Sequence, residues 1–210
     1  MVTYDAPIAA RRDAKDTKAR ILDALGRLLV REGLGAVGVN AVAREAGADK
    51  VLIYRYFKNL NGVYEAFAER ADFWYSARDL IEAINPLTMS LGEAVSLCLR
   101  RHAEEIRRRP IALAVLAAEP AHRTALVAVM EEVRERRALE VARWLGDRFA
   151  RTPGVDLAAV SLVLSAAINY LAARALRIKV MNGVSISTDR DWERLLAAVD
   201  QLVSGVLPRV

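Results

Sequence analysis

The stretch of residues 39–57 constrains the fold more than any other part of this 210-residue chain. A small residue, Ala43, is followed four positions later by Gly47, and Ile53 stands six positions after that glycine. The small side chain lets two helices cross closely, and the glycine can take the left-handed conformation that ends the first helix. This spacing predicts a helix-turn-helix over residues 38–57.

The second helix of this motif has a predictable orientation. Asp49 can cap its start by accepting backbone amide hydrogens. Successive residues advance by about 100° around a helix, so Ile53 and Phe57 share one side and are expected to face the core. The other side then faces outward, where the second helix of such a motif enters the DNA major groove. The outward residues are Lys50, Val51, Leu52, Tyr54, Arg55 and Tyr56.

The chemistry of these side chains predicts how they would contact DNA. The guanidinium of Arg55 matches O6 and N7 of guanine, so Arg55 is the strongest candidate for reading a base. Val51 and Leu52 suit contacts with thymine methyl groups. For each residue the alternative is a surface side chain with no role on DNA. Those suited to phosphates are Lys50, Tyr56 and Lys58, and the predicted DNA-binding set is completed by Arg20, Asn40 and Tyr54.

The charge distribution agrees with a phosphate-binding surface near the motif. The net charge is +5 for the chain, +4 for residues 1–60 and +1 for residues 61–210. An ordinary solvated basic surface would give the same numbers, so charge alone does not decide between the two. Residues 1–15 are predicted to be a flexible basic tail that carries Arg11, Arg12 and Lys15.

Helical periodicity continues through nearly all of the chain, and no alternating strand pattern is found. Capping residues support two of the later helices: Ser90 with Glu93, and a weaker pair, Thr188 with Asp191. The fold class is therefore predicted to be all-α, with about nine helices. Besides the two helices of the motif, they are expected at about 17–33, 61–83, 90–107, 111–118, 121–150, 156–181 and 188–206.

Three linked sequence blocks resemble the amino-terminal domain of TetR-type transcriptional regulators. They run from Lys18 to Leu34, from Val42 to Gly47 and from Leu52 to Asn59, and the resemblance covers about residues 16–64. It implies a homodimer with one helix-turn-helix on each subunit. It also implies a carboxy-terminal domain that binds a small molecule and then releases operator DNA.

The sequence departs from the family pattern at three places. Gly38 replaces the usual Ser or Thr before the first motif helix, which removes a capping hydroxyl. Val51 and Leu52 replace the usual Gly-Thr pair, and Leu60 replaces the usual lysine. These changes alter the expected base preference and leave the mode of binding unchanged.

The predicted domains are the tail at 1–15, a DNA-binding domain at 16–60 and an effector-binding and dimerisation domain at 61–210. The helices at 156–181 and 188–206 are expected to form a four-helix interface with a second copy, as the resemblance implies. A monomer in which both helices fill one core is the alternative. Whether the regulator represses or activates stays open, although a repressor is expected.

A ligand pocket is expected between the middle helices. Each candidate can also be explained as a core or surface residue, and the sequence does not identify the ligand. The candidates are Phe73, Trp74, His102, Met130, Trp144, Asn169, Tyr170 and Arg174.

Other functional classes find less support. The two histidines, His102 and His122, stand twenty residues apart, which is not the spacing of metal ligands. The sequence also contains no nucleophile motif and no phosphate-loop motif. We therefore predict no enzyme activity, no metal and no cofactor. Cys98 is the single cysteine, which excludes an internal disulfide. A helical protein-interaction adaptor without DNA binding is the main alternative.

The segment of residues 157–173 contains no charged residue and approaches the length of a membrane span. Ser161, Ser165 and Asn169 recur every four residues along it and give it a polar stripe. We therefore expect a buried or dimer-forming helix and no membrane partner. With no secretory signal in the first fifteen residues, the expected location is the cytoplasm.

Overall fold

The computed structural model describes residues 8–34, 37–70, 73–119 and 124–207. Within these ranges the chain forms ten α-helices and one two-stranded antiparallel hairpin, which confirms the all-α prediction with one helix more than expected. The elements are α1 Ile8–Glu32, α2 Val39–Ala46, α3 Lys50–Phe57, α4 Leu60–Ala68, α5 Ala77–Ile81, α6 Leu91–Arg107, α7 Pro110–Ala118, α8 Ala125–Arg148, α9 Leu157–Ala175, β1 Val180–Met181, β2 Val184–Ser185 and α10 Asp189–Val206.

The chain divides into two compact units, and the first comprises Met1–Arg70 with Ala121–Glu131. In this unit α1 packs against α2 and α4, and α3 packs against α2 and α4. The compact unit extends ten residues beyond the predicted domain boundary at residue 60. Apolar side chains from all four helices fill its core: Ile21, Leu25, Leu28, Val42, Ile53 and Val63 are at most 1% exposed.

The second unit comprises Ala71–Pro120 and Glu132–Val210, and α6 is its central helix. Helices α5, α7, α9 and α10 all pack against α6. The predicted capping box opens α6: the Ser90 hydroxyl accepts from the Glu93 amide at 3.3 Å, and the Glu93 carboxylate accepts from the Ser90 amide at 2.9 Å. A second box, of Thr188 and Asp191, opens α10 as predicted.

Two predicted boundaries in the amino-terminal half are wrong. Helix α1 begins at Ile8 and not near Thr17, so residues 8–15 are helical and not a tail. Residues 1–7, and the side chains of residues 8–12, lie outside what the structure describes. The single helix predicted at 61–83 is two helices, α4 and α5, because Ser76 and Asp79 form a capping box that starts a new helix.

A third correction concerns the end of α9. This helix stops at Ala175, before the predicted limit of 181, and the chain then forms the hairpin of β1 and β2. Asn182 and Gly183 connect the strands with φ angles of 50° and 76°. An Asn-Gly pair with positive φ at both positions is the favoured two-residue hairpin turn. The helix predicted up to residue 181 therefore includes the first strand, and neither strand was predicted.

Candidate DNA-binding surface

The turn between α2 and α3 has the predicted backbone. Gly47 ends α2 with φ 59° and ψ 37°, in the left-handed region that favours glycine. The amide of Ala48 donates to the carbonyl of Ala43 at 3.0 Å, which closes the turn. The Asp49 carboxylate then accepts from the amide of Val51 at 2.9 Å and caps α3. These hydrogen bonds fix the turn, and the turn fixes the angle between α2 and α3.

Helix α3 has the predicted inward and outward sides. Ile53 is 0% and Phe57 is 8% exposed, so both belong to the core. On the outward side Val51 is 61% and Tyr54 is 50% exposed, and the Lys50 and Arg55 side chains are also exposed. Leu52 and Tyr56 are half-buried at the edges of that side. The outward side of α3 thus presents two cations and two apolar or aromatic side chains to solvent.

The ring of Tyr56 brings a further cation to this surface. The Lys18 ammonium lies 5.7 Å from the ring centroid, and the Arg55 guanidinium carbon lies 5.8 Å from it. Both distances suit cation–π attraction. Lys18 is an exposed residue of α1 that the sequence analysis did not select, since only the folded structure brings α1 beside α3.

Two of the predicted contact residues lie on neighbouring helices. Asn40 is exposed in the first turn of α2, next to the cap position of Gly38, which provides no side-chain hydrogen bond. The amides at this helix start therefore receive no side-chain cap from the N-cap residue. Arg20 is exposed on α1 and donates to the carbonyl of Gly47 at 3.3 Å, so it also stabilises the turn of the motif.

Lys58 lies in a constrained link between α3 and α4. Its φ is 68°, a value that L-residues seldom adopt, and Asn59 next to it caps α4 by accepting from the Gly62 amide at 2.9 Å. A Cβ on Gly62 would lie 1.9 Å from the carbonyl oxygen of Phe57, so only glycine fits. No sequence pattern predicted this role of Gly62. The link holds Lys58 exposed at the end of α3.

Other arginines of the first unit are engaged in structural ion pairs. Arg27 and Arg31 of α1 both bind the Glu45 carboxylate of α2, at 2.8 Å and 2.9 Å. Their hydrogen bonds, first that of Arg27 and then that of Arg31, lower the pKa of Glu45. Arg70 is similarly paired with Asp23 at 2.6 Å. Positive charge in this unit therefore serves the fold as well as the candidate surface.

Comparison with known proteins assigns this domain. Residues 21–67 match the family described as bacterial regulatory proteins of the tetR family. A helix-turn-helix transcriptional repressor of Streptomyces coelicolor is 36% identical over 61 residues, which cover 29% of this chain and 32% of that protein. The match spans about a third of the repressor's length, so it concerns the TetR-type domain alone.

Solved structures extend the likeness in fold to about nine tenths of the chain. The fatty acid degradation regulator FadR of Bacillus halodurans has a TM-score of 0.63 at 16% identity, covering 92% of this chain and 97% of that one. FadR of Bacillus subtilis, in complex with stearoyl-CoA, has a TM-score of 0.61 at 17% identity and covers 88% of this chain and 96% of that one. At such identities the likeness concerns the TetR-type fold and not the ligand.

The second unit brings several of the predicted ligand-binding residues together. Phe73 and Trp74 are each 4% exposed, and the Trp74 ring stacks on that of Tyr75 with centroids 5.2 Å apart. The Tyr75 hydroxyl forms a hydrogen bond with Nδ1 of His102, which is 6% exposed. Asn169 lies close to the same imidazole. Tyr75 is a member of this cluster that the sequence analysis missed, because the break between α4 and α5 was not predicted.

The remaining candidates lie elsewhere. Tyr170 is 55% exposed and Arg174 is also exposed, both on α9. Trp144 is half-buried on α8, with the Arg148 guanidinium 4.5 Å above its ring. Met130 is buried but belongs to the first unit. His122 lies outside the described residues, among which no group of three His, Cys, Asp or Glu side chains could hold a metal ion.

Proposed function

We propose that this chain is a DNA-binding transcriptional repressor of the TetR type that acts as a homodimer and leaves its operator when a small molecule binds the second unit. The orientation of α3 carries the proposal, since Ile53 and Phe57 are buried while Val51, Tyr54 and Arg55 are exposed. A helix with that arrangement can enter a major groove without opening the core of its domain. The repressor activity of the Streptomyces coelicolor relative favours repression over activation.

Each side chain on the outward side of α3 has a role in this proposal. Arg55 reads a guanine, and Val51 and Leu52 contact thymine methyl groups. Phosphates are bound by exposed cations and polar groups around α3, which fix the register of the helix on the duplex. The phosphate-binding and supporting residues are Lys18, Arg20, Asn40, Lys50, Tyr54, Tyr56 and Lys58.

The homodimer is proposed to form through α9 and α10. Leu162 and Val163 of α9 are 68% and 66% exposed, and Leu202 of α10 is 59% exposed. By length and composition alone α9 could also cross a membrane, and it is the one helix among the described residues with that property. We propose that a second copy covers this apolar surface, because a two-fold operator needs two reading helices. Sedimentation at micromolar concentration should then give a dimer.

The second unit is proposed to bind the effector, in the cytoplasm where the operator is. Its cluster of Trp74, Tyr75, His102 and Asn169 combines apolar walls with a few polar atoms, as small-molecule sites do. The stearoyl-CoA complex of Bacillus subtilis FadR supports ligand binding by this fold and does not identify the ligand here. The adaptor alternative is not favoured, because residues 21–67 match a family of regulatory proteins.

Fluorescence anisotropy with duplexes from the DNA flanking the protein's own gene tests the proposal. One duplex should bind more tightly than unrelated DNA, with an affinity that falls steeply with salt. Arg55→Ala should weaken that duplex by about 1–3 kcal/mol and leave unrelated DNA nearly unchanged. Arg78→Ala, which removes an exposed arginine of α5, is the matched control. Equal binding of all duplexes by both proteins would contradict the assignment of Arg55.

A further inference from the structure

A cleft lies between α6 and α10 in the second unit. Its volume is about 220 Å³, which is less than the roughly 300–1,000 Å³ that is usual for drug-sized ligands. None of the residues predicted for the effector site lines it, so the cleft is separate from the cluster around His102. A cleft of this size suits a small molecule, and the chemistry of its lining side chains decides which kind.

The two helices meet closely beside the cleft. Gly92, in the first turn of α6, lies so near the end of α10 that an added Cβ would be 2.5 Å from the carbonyl oxygen of Leu207. Leu207 is 2% exposed, and with Met89 and Leu97 it gives the cleft an apolar wall. Glycine at position 92 therefore permits the close contact from which this wall is built.

The polar side of the cleft is an ion-pair network in which carboxylates outnumber cations. Oδ2 of Asp200 accepts from Nε of Arg100 at 2.9 Å. Nη1 of the same guanidinium lies 3.2 Å from the carboxylate of Glu193. The carboxylate of Glu93 also lines the cleft. One guanidinium is thus shared between two carboxylates with a third nearby, so the local charge is negative and repels an anion.

One carboxylate oxygen of this network lacks a partner. Oδ1 of Asp200 is buried and forms no hydrogen bond within the part of the chain that the structure describes. A buried charged acceptor without a donor is costly. The Asp200 side chain as a whole is 31% exposed and lines the cleft. Its last torsion is soft, so a rotation can turn this oxygen toward a donor in the cleft. The hydroxyls of Ser96 and Ser204 line the same space and can accept a further hydrogen bond.

The cleft stays open in the proposed homodimer. Successive residues advance by about 100° around a helix, so Asp200 and Ser204 each lie about 200° from Leu202, which stands between them in the sequence. Leu202 is 59% exposed and belongs to the surface that is proposed to meet a second copy. The cleft is therefore on the opposite side of α10, where a small molecule can enter without separating the two copies.

We propose that this cleft binds a small organic ammonium ion that carries one short apolar group. The ammonium donates to the Asp200 carboxylate in a charge-assisted hydrogen bond, and it donates to a serine hydroxyl beside it. The apolar group packs against Met89, Leu97 and Leu207. A ligand carboxylate would instead face the carboxylate of Asp200. The site goes beyond the proposed function, since it requires neither DNA nor a second copy.

Methionine-methyl NMR of the full chain with three probes tests the site. The probes share a phenylethyl group: phenethylamine is a cation at pH 7, phenethyl alcohol is uncharged and hydrocinnamate is an anion. Met89 is one of four methionines in the chain, and it is the one that lines the cleft, so its ¹³C-methyl signal reports binding there. Phenethylamine should shift this signal saturably and bind at least about tenfold more tightly than the alcohol, because its hydrogen bond joins two charged groups. Hydrocinnamate should bind most weakly.

Two variants and a matched control assign the preference to the cleft. Asp200→Asn should weaken phenethylamine about tenfold, to the affinity of phenethyl alcohol. Asp189→Asn is the control, because Asp189 of α10 is also paired with an arginine of α6, Arg107 at 2.7 Å, but does not line the cleft. This control should keep the wild-type affinity within about a factor of two. Ser204→Leu, at an exposed position, should fill the cleft and remove the binding of all three probes.

Several results would overturn the site. A Met89 signal that does not respond in the wild type, or that responds alike to the three probes, contradicts an ammonium site in the cleft. Equal losses of phenethylamine binding in Asp189→Asn and Asp200→Asn would mean attraction by the overall charge of α10. Wild-type binding in Ser204→Leu would place the probes elsewhere. No DNA is present in these measurements, so their outcome is independent of the proposed function.

Discussion

The two units of this protein place their polar side chains in opposite environments. In the first unit, Lys50 and Arg55 stand in solvent on a helix whose other side, with Ile53, is fully buried. In the second unit, Tyr75 and His102 are buried and bonded to each other. A polyanion is attracted by exposed cations that keep their charge, whereas a small uncharged molecule is recognised best by polar atoms already removed from water. The proposed functions of the two units, DNA binding and effector binding, require this difference.

The largest expected effect is a loss of stability when a core residue on the buried side of α3 is truncated. Ile53→Ala should reduce the free energy of unfolding by about 2–5 kcal/mol, since the removed side chain is 0% exposed. Val51→Ala, two residues away and 61% exposed, should change it by less than about 0.5 kcal/mol. Urea denaturation measures both. Similar losses of unfolding free energy in the two variants would contradict the assignment of a buried and an exposed side to α3.

The burial of His102 should make stability depend on pH. Its pKa is near 6.5 when unfolded and about 4 when folded, so the unfolded state binds the proton first as the pH falls. The contribution of neutral His102 is complete above about pH 6.5 and is lost toward pH 4, on the order of 3 kcal/mol in all. His102→Phe should lack this part of the pH dependence in urea denaturation. An identical profile in that variant would mean that His102 is accessible to solvent.

A third prediction compares two glycines. Gly62→Ala should destabilise the protein by about 1–3 kcal/mol and weaken DNA binding, because the new Cβ would overlap the carbonyl of Phe57 and displace Lys58. Gly146→Ala in α8 is the matched control: apart from the adjoining backbone of its own helix, no atom of the described residues lies within 4 Å of its Cβ position. That change should stabilise the protein by about 0.5–1 kcal/mol. Thermal unfolding of both variants checks the pair, and a stable Gly62→Ala protein would contradict the close approach.

The smallest expected effect concerns Lys18. Lys18→Gln should lower the slope of log affinity against log salt by about 0.9, the value for one phosphate contact. Arg78→Gln removes the same charge from an exposed position of α5 and should leave the slope unchanged. Any duplex serves, because phosphate binding does not depend on sequence. Equal slopes for wild type and Lys18→Gln would show that the Tyr56 ring holds a cation that does not reach DNA.

Local signals were sufficient for the helix-turn-helix. The Gly47 turn and the Asp49 cap depend on neighbours within one or two turns, and the helical period alone places Ile53 on the inward side of α3, so spacing in the sequence predicted all three. Lys18 and Gly62 escaped prediction because their roles depend on atoms of other helices. The TetR family assignment followed from the same local blocks and is confirmed for residues 21–67.

The second unit was harder to predict because its cluster joins distant segments. Tyr75, His102 and Asn169 come from a loop and two helices, and no periodicity predicts that these polar side chains meet. The aromatic residues before Ser76 were assigned to a continuous helix, since apolar periodicity continues across the break. The hairpin at Asn182 and Gly183 was missed for a different reason. The Asn-Gly pair is itself a hairpin signal, but strands of two residues are too short to show an alternating pattern.

Because Gly38 has no side chain to cap α2, the first amides of this helix should differ between the free protein and the DNA complex. Gly38 offers no side-chain oxygen at this cap, so the leading amides of α2 receive no capping bond from the residue that usually supplies one. A DNA phosphate offers the missing acceptor, so the nucleic acid would complete this helix as a structural component of the domain. The amides of residues 39–41 should therefore exchange hydrogen rapidly in the free protein and become protected in the complex.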